Sequence, residues 1–392
     1  MRTQVGIIGA GPAGLFLAHL LHRAGIESVI LEGRSRSYVE ERVRAGVLES
    51  GTVDVMHELG LDKRLLKESM EDHALDIRFS GKLIHLDFPK LADGRHVTIY
   101  AQQEVVKDLI AARLAQGGQI VFEAEAHAIE GISGKSPSIR YRLNGKDETL
   151  ECDFVAGCDG FHGISRPAIP EGILTLYDRI YSFAWFGILS HSPPIKEMTY
   201  ANNERGFALC SRRTPKISRH YLQVPIDEDP DNWSDAQFWD ELHKRMDDNN
   251  KAEIIEGEIF QKNVAPLRSF VAAPMQHGRL FLAGDAAHIV PPTGAKGLNL
   301  AVADVRVLAR ALSEFYRTGA TARLDRYSEI CLRRVWKTVR FSNYMTYLLH
   351  RFPEHTPFER QIQLAELDYI SNSEAGGKTI AENYVGLPFE DD

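Results

Sequence analysis

Hydrophobic and polar positions along the chain predict an alternation of strands and helices. Residues 4–8 (QVGII) form a short apolar run rich in β-branched side chains, and residues 15–26 continue with the apolar pattern of a helix. A glycine-rich turn at 9–14 (GAGPAG) separates the two, and a second strand follows at 28–32 (SVILE). This order predicts a parallel βαβ unit at the N terminus.

Similar apolar runs recur twice further along the chain. Residues 153–157 (DFVAG) and 279–284 (RLFLAG) predict strands that lead into Asp159 and Asp285. Ligands of parallel sheets bind at the carboxyl ends of the strands, which is where these two aspartates are expected.

The C-terminal third of the chain has helical periodicity. From Leu298 onward, one apolar stripe recurs at helical spacing at Val302, Val305, Leu308 and Leu312. Residues 231–246 predict another helix, which begins after Ser234 as its cap. The aromatic-rich residues 343–352 are expected in the core or at a dimer contact.

Composition, charge and cysteine spacing exclude several classes of protein. The 392 residues, 44% hydrophobic and 26% charged, fit a globular protein of about two to three domains. The formal charge of -8 carries no block of like charge, so a nucleic-acid partner is not expected. No segment has the length of a signal peptide or membrane span, which predicts a soluble cytoplasmic protein. The cysteines lack the paired spacings of a zinc or redox site, which predicts buried thiols and no metal site; they are Cys152, Cys158, Cys210 and Cys331.

The N-terminal glycine turn has the spacing of a dinucleotide-binding fingerprint. Gly9 permits the tight turn, Gly11 lets a pyrophosphate approach the backbone, and Gly14 lets the helix pack on the strand. Glu32 ends the second strand, where a carboxylate accepts hydrogen bonds from the hydroxyls of an adenosine ribose. The fingerprint alone does not separate NAD from FAD, because both contain ADP.

Three motifs together carry a resemblance to a known family. The fingerprint at 9–14, the Asp159-Gly160 pair and the Gly284-Asp285 pair resemble the motifs of the group A flavoprotein aromatic hydroxylases. The resemblance covers nearly the whole chain and includes residues 42–49, 200–213, 218–224, 265–270 and 381–388. It implies that FAD, reduced by NADPH or NADH, activates molecular oxygen while the protein places the substrate and excludes water. The implied reaction converts 4-hydroxybenzoate to 3,4-dihydroxybenzoate.

The resemblance also implies which residues hold the flavin. Asp285 is expected on the ribitol, Asp159 near both cofactors, and Arg42 and Arg44 at the cofactor cleft. Gln102 is the implied FAD-contacting glutamine, with Gln103 as its neighbouring competitor. The glycine-rich turn into the predicted helix places N–H groups where the reduced flavin is negative, and its expected contacts are Lys296, Gly297, Leu298 and Asn299.

A second set of residues is expected around the nicotinamide cofactor. By resemblance these include His162, Arg166 and Arg268, and the residue chemistry of segment 33–38 adds Arg34 and Tyr38. Arg34, Arg36 and Tyr38 together suit a 2′-phosphate, since arginine pairs well with a dianion. This pattern favours NADPH, although Gly33-Arg34 departs from the pair expected of a strictly NADPH-dependent member, and dual use stays open.

The substrate site is expected on a hairpin. Residues 207–213 and 219–224 predict paired strands joined by a Thr-Pro-Lys turn, so Ser211 and Arg213 share one face and Tyr221 meets them from the neighbouring strand. Taken alone, such a hairpin has polar side chains that face water. The resemblance instead implies that these three residues bind the substrate carboxylate.

The phenolic end of the substrate is expected to meet a proton relay. By resemblance Tyr200 bonds the phenolic oxygen and Tyr384 passes its proton outward, while the rigid carbonyl of Pro292 accepts from the substrate hydroxyl or a relay tyrosine. The family carries a histidine at the outer end of the relay, where this chain has Asp72 followed by His73. Which of the two ends the relay is left open.

These placements predict an α/β fold with a Rossmann-like FAD-binding domain of the glutathione-reductase type. This FAD-binding domain is expected to comprise residues 1–70, 97–180 and 269–350. A mixed-sheet substrate domain is expected at 71–96 and 181–268, and a helical C-terminal region at 351–392. A homodimer is implied by the resemblance. A sibling enzyme for another hydroxybenzoate and a flavin-free binding protein or dehydrogenase of related fold are the alternatives.

Overall fold

The computed structural model describes residues 1–44, 46–248 and 253–389. The predicted segments 42–49, 181–268 and 351–392 each include residues outside this range. The helices are α1 (Pro12–Arg23), α2 (Arg36–Glu41), α3 (Ser50–Glu58), α4 (Lys63–Glu68), α5 (Phe88–Leu91), α6 (Gln102–Ala115), α7 (Asp235–Arg245), α8 (Gly297–Thr318), α9 (Ala322–Asp325), α10 (Tyr327–Leu349), α11 (Pro357–Asn372) and α12 (Glu374–Val385).

The strands are β1 (Val5–Ile8), β2 (Ser28–Leu31), β3 (Val47–Leu48), β4 (Met70–Asp72), β5 (Ala74–Phe79), β6 (Lys82–Asp87), β7 (Val97–Ile99), β8 (Gln119–Val121), β9 (Glu125–Glu130), β10 (Ser138–Leu143), β11 (Lys146–Glu151), β12 (Phe154–Gly157), β13 (Thr175–His191), β14 (Met198–Asn203), β15 (Gly206–Thr214), β16 (Ile217–Pro225), β17 (Glu258–Ala273), β18 (Gln276–His277), β19 (Leu280–Leu282) and β20 (His288–Ile289). Short 3-10 turns lie at Pro230–Asn232, Gly284–Ala286 and Pro292–Gly294.

A six-stranded sheet with the order β18-β19-β12-β1-β2-β8 forms the first layer. Its inner strands are parallel and buried, as their unbroken apolar runs predict. Helices α1 and α8 pack against each other beside it, and the stripe predicted on α8 is buried in the same core. The predicted α/β fold is therefore confirmed.

An eight-stranded mixed sheet with the order β20-β17-β13-β16-β15-β14-β5-β6 forms the second part of the fold. One face packs on an apolar cluster that contains the aromatic-rich residues 343–352, which the sequence analysis expected in the core. The other face packs on α7, where Ser234 and Gln237 form the capping box that starts the predicted helix. Three-stranded sheets β11-β10-β9 and β3-β7-β4 complete the described strands.

Two further expectations concern the whole chain. All four cysteines are buried and free, as predicted. Within the described ranges, no helix is both long and apolar enough to cross a membrane. The proposed domain boundaries stay a prediction.

Candidate active site

The three motifs meet at one edge of the six-stranded sheet. Strands β1, β12 and β19 are parallel neighbours in register, so Ile8, Gly157 and Leu282 stand side by side at their carboxyl ends. The chain leaves all three strands at this edge, and the Arg166 guanidinium joins two of the exits by donating to the Ala286 carbonyl at 3.1 Å. Segments more than a hundred residues apart in sequence thus form one surface.

The glycine turn leaves room for a phosphate group. A Cβ on Gly14 would lie 2.1 Å from the Gly9 carbonyl oxygen, so this glycine is required where α1 crosses the turn. A Cβ on Gly11 would meet nothing within 4 Å, which leaves open space before the N terminus of α1. That space and the free N–H groups of the helix terminus suit an anion.

The carboxylate of Glu32 is fixed at the end of β2. It accepts hydrogen bonds from the Ala10 N–H and the Arg34 N–H, both at 2.8 Å. Each carboxylate oxygen can accept a further bond, so the group can still receive ribose hydroxyls. Its backbone partners hold it in place beside the glycine turn.

Asp159 and Asp285 present carboxylates at the same edge. One oxygen of Asp159 accepts from the Ser165 N–H at 2.9 Å and the Ser165 hydroxyl at 2.8 Å, while Oδ1 is buried without a partner among the described residues. Burial raises the pKa of Asp159. Asp285 is exposed to solvent, but the surrounding protein partly desolvates its carboxylate and raises its pKa. The nearby His288, Arg44 and Arg42 oppose this rise. The two aspartates suit a ligand that donates hydrogen bonds.

The N terminus of α8 faces open space as well. A Cβ on Gly297 would meet nothing within 4 Å, so the backbone of Gly297 and Leu298 is accessible at the positive end of the helix. Together with the Gly11 space, Glu32 and the unpartnered oxygen of Asp159, this set fits a dinucleotide that carries a polyhydroxyl chain.

The side chains of Lys296 and Asn299 have hydrogen-bond partners within the protein. The Lys296 ammonium is buried and donates to Glu49 Oε1 and the Tyr384 carbonyl, both at 2.8 Å, so its charge is paired rather than free. The Asn299 amide accepts from the Glu49 N–H and donates to the Val47 carbonyl, at 2.9 and 3.0 Å. These side chains fix the loop before α8 against β3, because a buried polar group requires partners.

A basic group surrounds the ring of Tyr38. The guanidinium carbons of Arg34 and Arg42 lie 5.4 and 5.9 Å from the ring centroid, within cation-π range. Burial and the charge of Arg42 lower the pKa of Arg44, which lies close to both Tyr38 and Asp285. Arg36 instead pairs with Glu40 at 2.7 Å along α2.

Another basic group surrounds the ring of Phe161. Arg166 and Arg268 lie 4.6 and 4.2 Å from its centroid, and the exposed His162 ring stands against it at 5.0 Å. Asp178 holds Arg268 through two hydrogen bonds, one of them at 2.7 Å from Nε. The structure therefore brings together three of the five residues expected on the nicotinamide cofactor, whereas Arg34 and Tyr38 lie in the other basic group.

The predicted substrate residues lie on one face of the eight-stranded sheet. Tyr200 on β14 is opposite Leu209 on β15, and Leu209 is opposite Tyr221 on β16, so the three form a row across the sheet. Ser211 follows on the same face of β15, and Arg213 lies where the pairing of β15 with β16 shifts register. Neighbouring strands are about 4.8 Å apart, so roughly 10 Å separates the backbones of Tyr200 and Tyr221. The row is therefore long enough for one aromatic ring with a polar group at each end to lie along it.

Arg213 is held at the junction with the cofactor edge. Its guanidinium donates to the Arg44 carbonyl at 2.8 Å and to Gln103 Oε1 at 2.5 Å. Burial lowers the pKa of Arg213 to about 10, so the group remains charged at neutral pH. The Ser211 hydroxyl donates to the Arg219 carbonyl at 3.1 Å. Gln103 thus orients Arg213. The contact of Gln102 with FAD stays a prediction.

Two buried tyrosines form a hydrogen-bonded pair at the other end of the row. The hydroxyl oxygens of Tyr200 and Tyr384 are 2.8 Å apart, and the Tyr200 hydroxyl also donates to the Thr293 carbonyl at 2.8 Å. Burial raises the pKa of both phenols. The carbonyl beside Tyr200 belongs to Thr293, whereas the Pro292 carbonyl accepts from the Ala295 N–H at 2.9 Å within a 3-10 turn. This position corrects the part of the prediction that assigned a relay tyrosine to Pro292.

Asp72, and not His73, faces the tyrosine pair. Asp72 is buried, neither carboxylate oxygen has a hydrogen-bond partner among the described residues, and burial raises its pKa to about 7 despite Arg212 at 3.9 Å. Its charge acts on the pKa of both tyrosines. His73 is exposed on the opposite side of the chain. Side chains alternate between the two sides of a strand, which explains why Asp72 is buried and His73 is exposed.

The sequence analysis missed several residues that complete these groups. Thr293 supplies its backbone, for which no side-chain signal exists. Phe161 is the ring between Arg166 and Arg268, and its place beside the DG pair was the available signal. Asp178 lies 90 residues from Arg268, so only tertiary structure reveals the pair.

Comparisons with known proteins show which family the chain belongs to. Residues 2–342 match the family described as FAD binding domain. The chain is 48% identical over 391 residues to the p-hydroxybenzoate hydroxylase of Acinetobacter baylyi, a comparison that covers 100% of this chain and 96% of that protein.

Solved structures show the same fold at low identity. The p-nitrophenol 4-monooxygenase of Pseudomonas putida superposes with a TM-score of 0.80 at 22% identity and covers 99% of both chains. A probable FAD-dependent monooxygenase of Pseudomonas aeruginosa gives 0.79 at 18% identity, over 94% of this chain and 100% of that chain. With the family match and the full-length relative, these findings show that the chain belongs to the FAD-dependent aromatic hydroxylases, the family that includes p-hydroxybenzoate hydroxylase.

Proposed function

We propose that this enzyme hydroxylates 4-hydroxybenzoate beside its phenolic hydroxyl, giving 3,4-dihydroxybenzoate. The observation that carries the proposal is the row across the sheet from the buried Tyr200, which is paired with Tyr384, to Tyr221, with Arg213 further along β15. A guanidinium suits a carboxylate and a hydrogen-bonded phenol suits a phenol, so the face suits a benzoate with a para hydroxyl. The name of the 48% identical relative supports the same substrate.

FAD, when bound at the sheet edge and reduced by a nicotinamide, supplies the oxygen-activating chemistry. Gly11, Glu32, Asp159, Asp285 and the start of α8 would hold it, as would Arg42, Arg44 and Gln102. The charge of the two helix termini favours an anionic ligand there.

Tyr200 and Tyr384 would move the substrate's phenolic proton. Phenol is a weak nucleophile, whereas phenolate transfers charge to the adjacent ring carbon that accepts oxygen. A donor at the phenolic oxygen stabilises the phenolate and lowers the substrate's pKa. Each tyrosine hydroxyl can donate or accept, so a proton received by Tyr200 passes to Tyr384 when both rotate. The charge of the buried Asp72 raises the pKa of both tyrosines, and Asp72 is the candidate group at the outer end of the relay.

Arg213, Ser211 and Tyr221 would hold the carboxylate at the other end of the ring. Fixing both ends orients the ring carbon next to the phenol toward the cofactor edge. The Pro292 carbonyl remains a candidate acceptor for the substrate hydroxyl.

NADPH or NADH would donate the electrons, with NADPH favoured. The arginines around Tyr38 support binding of a 2′-phosphate, and His162, Arg166 and Arg268 would contact the same cofactor. Comparing kcat/KM for NADPH and NADH tests this choice, and an NADH preference above tenfold would reject it. A homodimer in the cytoplasm completes the proposal and is supported by the family resemblance.

The decisive experiment is product analysis with the yellow protein. We expect 3,4-dihydroxybenzoate to form from 4-hydroxybenzoate, NADPH and oxygen, and substrate to stimulate NADPH oxidation. The 2- and 3-hydroxybenzoates are the controls. Stimulation by one of these isomers but not by 4-hydroxybenzoate would assign a sibling activity, and colourless protein that binds no FAD would reject the enzyme.

A further inference from the structure

Three potential metal ligands converge on the outer side of the β4–β7 pair. Glu71 lies in β4, His73 follows that strand directly, and His96 directly precedes β7. The strands are antiparallel with Asp72 opposite Val97, so His73 and His96 occupy the next opposed positions of the ladder. Glu71 and His73 are two residues apart and therefore project from the same side.

The distances match those required by a small cation. His73 Nε2 is 3.1 Å from Glu71 Oε2, and His96 Nε2 is 3.7 Å from Glu71 Oε1. One ligand atom from each residue lies within 4.8 Å of the other two. Tetrahedral zinc with bonds of about 2.1 Å requires about 3.4 Å between ligand atoms. The two histidine–glutamate separations, which end on different oxygens of Glu71, are close to that value, and rotation of the side chains would bring one atom of each residue to a shared ion.

The backbone that carries the histidines is fixed on both sides. The His73 carbonyl accepts from the Phe88 N–H at 2.8 Å, and the His96 carbonyl accepts from the Ser50 hydroxyl at 3.2 Å. The side chains themselves are accessible, with 53% of His73 and 33% of His96 exposed. An ion can therefore enter without opening the fold, and little main-chain order has to be gained when it binds.

We propose that Glu71, His73 and His96 bind a divalent transition-metal ion of the zinc class. Two imidazoles with one carboxylate favour zinc, nickel or copper over magnesium and calcium, which prefer oxygen ligands. The fourth position would hold water. The bound ion would link β4 to β7 on the exposed side of β4, opposite the side on which Asp72 is buried.

The test is titration of metal-free, full-length holoenzyme with zinc chloride by calorimetry and by thermal unfolding. We expect one principal site in the wild type and a zinc-dependent rise in Tm, because a ligand that binds the folded state stabilises it. His73→Ala and His96→Ala are each expected to weaken this site at least tenfold and to abolish the rise. Magnesium chloride is expected to have no effect.

His85→Ala is the matched control. His85 is also half-exposed and lies 2.7 Å from the Asp76 carboxylate, but among the described residues this pair does not belong to a three-residue cluster. The control variant is expected to bind zinc as the wild type does. Zinc affinity that survives in both His73→Ala and His96→Ala, or that falls equally in His85→Ala, would overturn the proposal. Because the readouts are binding and stability, they are independent of the hydroxylation assay.

Discussion

Tyr200 and Tyr384 each have one hydroxyl proton but more than one acceptor. The Thr293 carbonyl can only accept from Tyr200, and Tyr384 lies 2.8 Å from Tyr200 and 3.4 Å from the sulfur of Met198. When Tyr200 donates to Thr293, Tyr384 is left to donate to Tyr200. A ligand that brings its own proton would reverse this chain of bonds.

Tyr384→Phe tests that chain. Removing one hydroxyl leaves the ring packing in place and interrupts proton transfer, so we expect a 10- to 100-fold loss of hydroxylation, the usual size of a general acid–base contribution. Binding of 4-hydroxybenzoate should change by less than about threefold, since Tyr384 is expected to act through Tyr200.

Rapid-mixing spectroscopy of bound substrate and product quantification check this result. Tyr316→Phe is the control, because its hydroxyl bonds Asp153 at 3.0 Å away from the proposed site. An unchanged hydroxylation rate in Tyr384→Phe would remove this tyrosine from the relay.

Arg213→Ala tests the carboxylate end of the site. A hydrogen bond to a charged group contributes about 1.5–3 kcal/mol, so we expect the Kd of 4-hydroxybenzoate to rise about 10- to 100-fold. Fluorescence titration of the flavoprotein measures the Kd. Phenol, which lacks the carboxylate, is the control ligand and should bind the two forms equally. Equal weakening for both ligands would indicate disturbed structure instead of a lost ion pair.

Two glycines near the start of α8 have different surroundings. A Cβ on Gly294 would lie 3.2 Å from atoms of Lys296, Phe341 and Ser342, whereas one on Gly297 would meet nothing within 4 Å. Gly297 is the one that the sequence analysis expected to contact the flavin. A substitution at Gly297 therefore tests cofactor binding without disturbing the packing, whereas a substitution at Gly294 would affect the packing as well.

Gly297→Leu should weaken FAD binding without destabilising the apoprotein. Replacing glycine in a helix stabilises it by up to about 1 kcal/mol, so the apoprotein Tm should stay constant or rise. The same side chain would occupy the space before α8, and we expect at least a tenfold increase in the Kd for FAD.

Fluorescence of released FAD and calorimetry of the apoprotein provide the two measurements. Gly33→Ala is the control, because its Cβ would make only an ordinary 3.8 Å contact with Glu125. FAD affinity that stays intact in Gly297→Leu would contradict the placement of the flavin at α8.

At the scale of the whole molecule, buried histidines link stability to pH. His350 is enclosed by Phe183, Trp185 and Phe207, with Nδ1 donating to the Thr346 carbonyl and Nε2 accepting from the Trp185 N–H. Burial lowers its pKa to about 3. The same cause lowers the pKa of His220 to about 3. Both residues are therefore neutral in the fold at pH values where the unfolded chain is protonated.

His350→Gln should reduce the loss of stability in acid. Between pH 6.5 and about 3 the unfolded state binds one more proton at this position, so the free energy of unfolding falls as pH decreases. Removing the group should lower that slope by about 1.4 kcal/mol per pH unit.

Urea unfolding at pH 7, 6 and 5 gives the slope for each protein. His162→Gln controls for the loss of an exposed histidine, and His220→Gln should behave like His350→Gln. A slope that is the same in wild type and His350→Gln would contradict the burial argument.

Local pattern was sufficient for much of the fold and for the cofactor edge. The strand ends at Ile8, Gly157 and Leu282 and the stripe on α8 follow from runs of apolar residues, because helix and strand periodicity is a property of consecutive residues. The residue types suited to a carboxylate and a phenol were also readable, though their roles came from the family resemblance.

The tertiary structure decided everything that depends on direction or on distant partners. Lys296 faces Glu49, Thr293 replaces Pro292 beside Tyr200, and Asp72 rather than His73 faces the tyrosines. The register of β4 against β7 also brings His73 to His96 and forms the proposed metal site. The sequence analysis predicted no metal site, because it considered only the spacing of the cysteines. The sequence specifies which groups are available, whereas side-chain orientation depends on packing between elements that are remote along the chain.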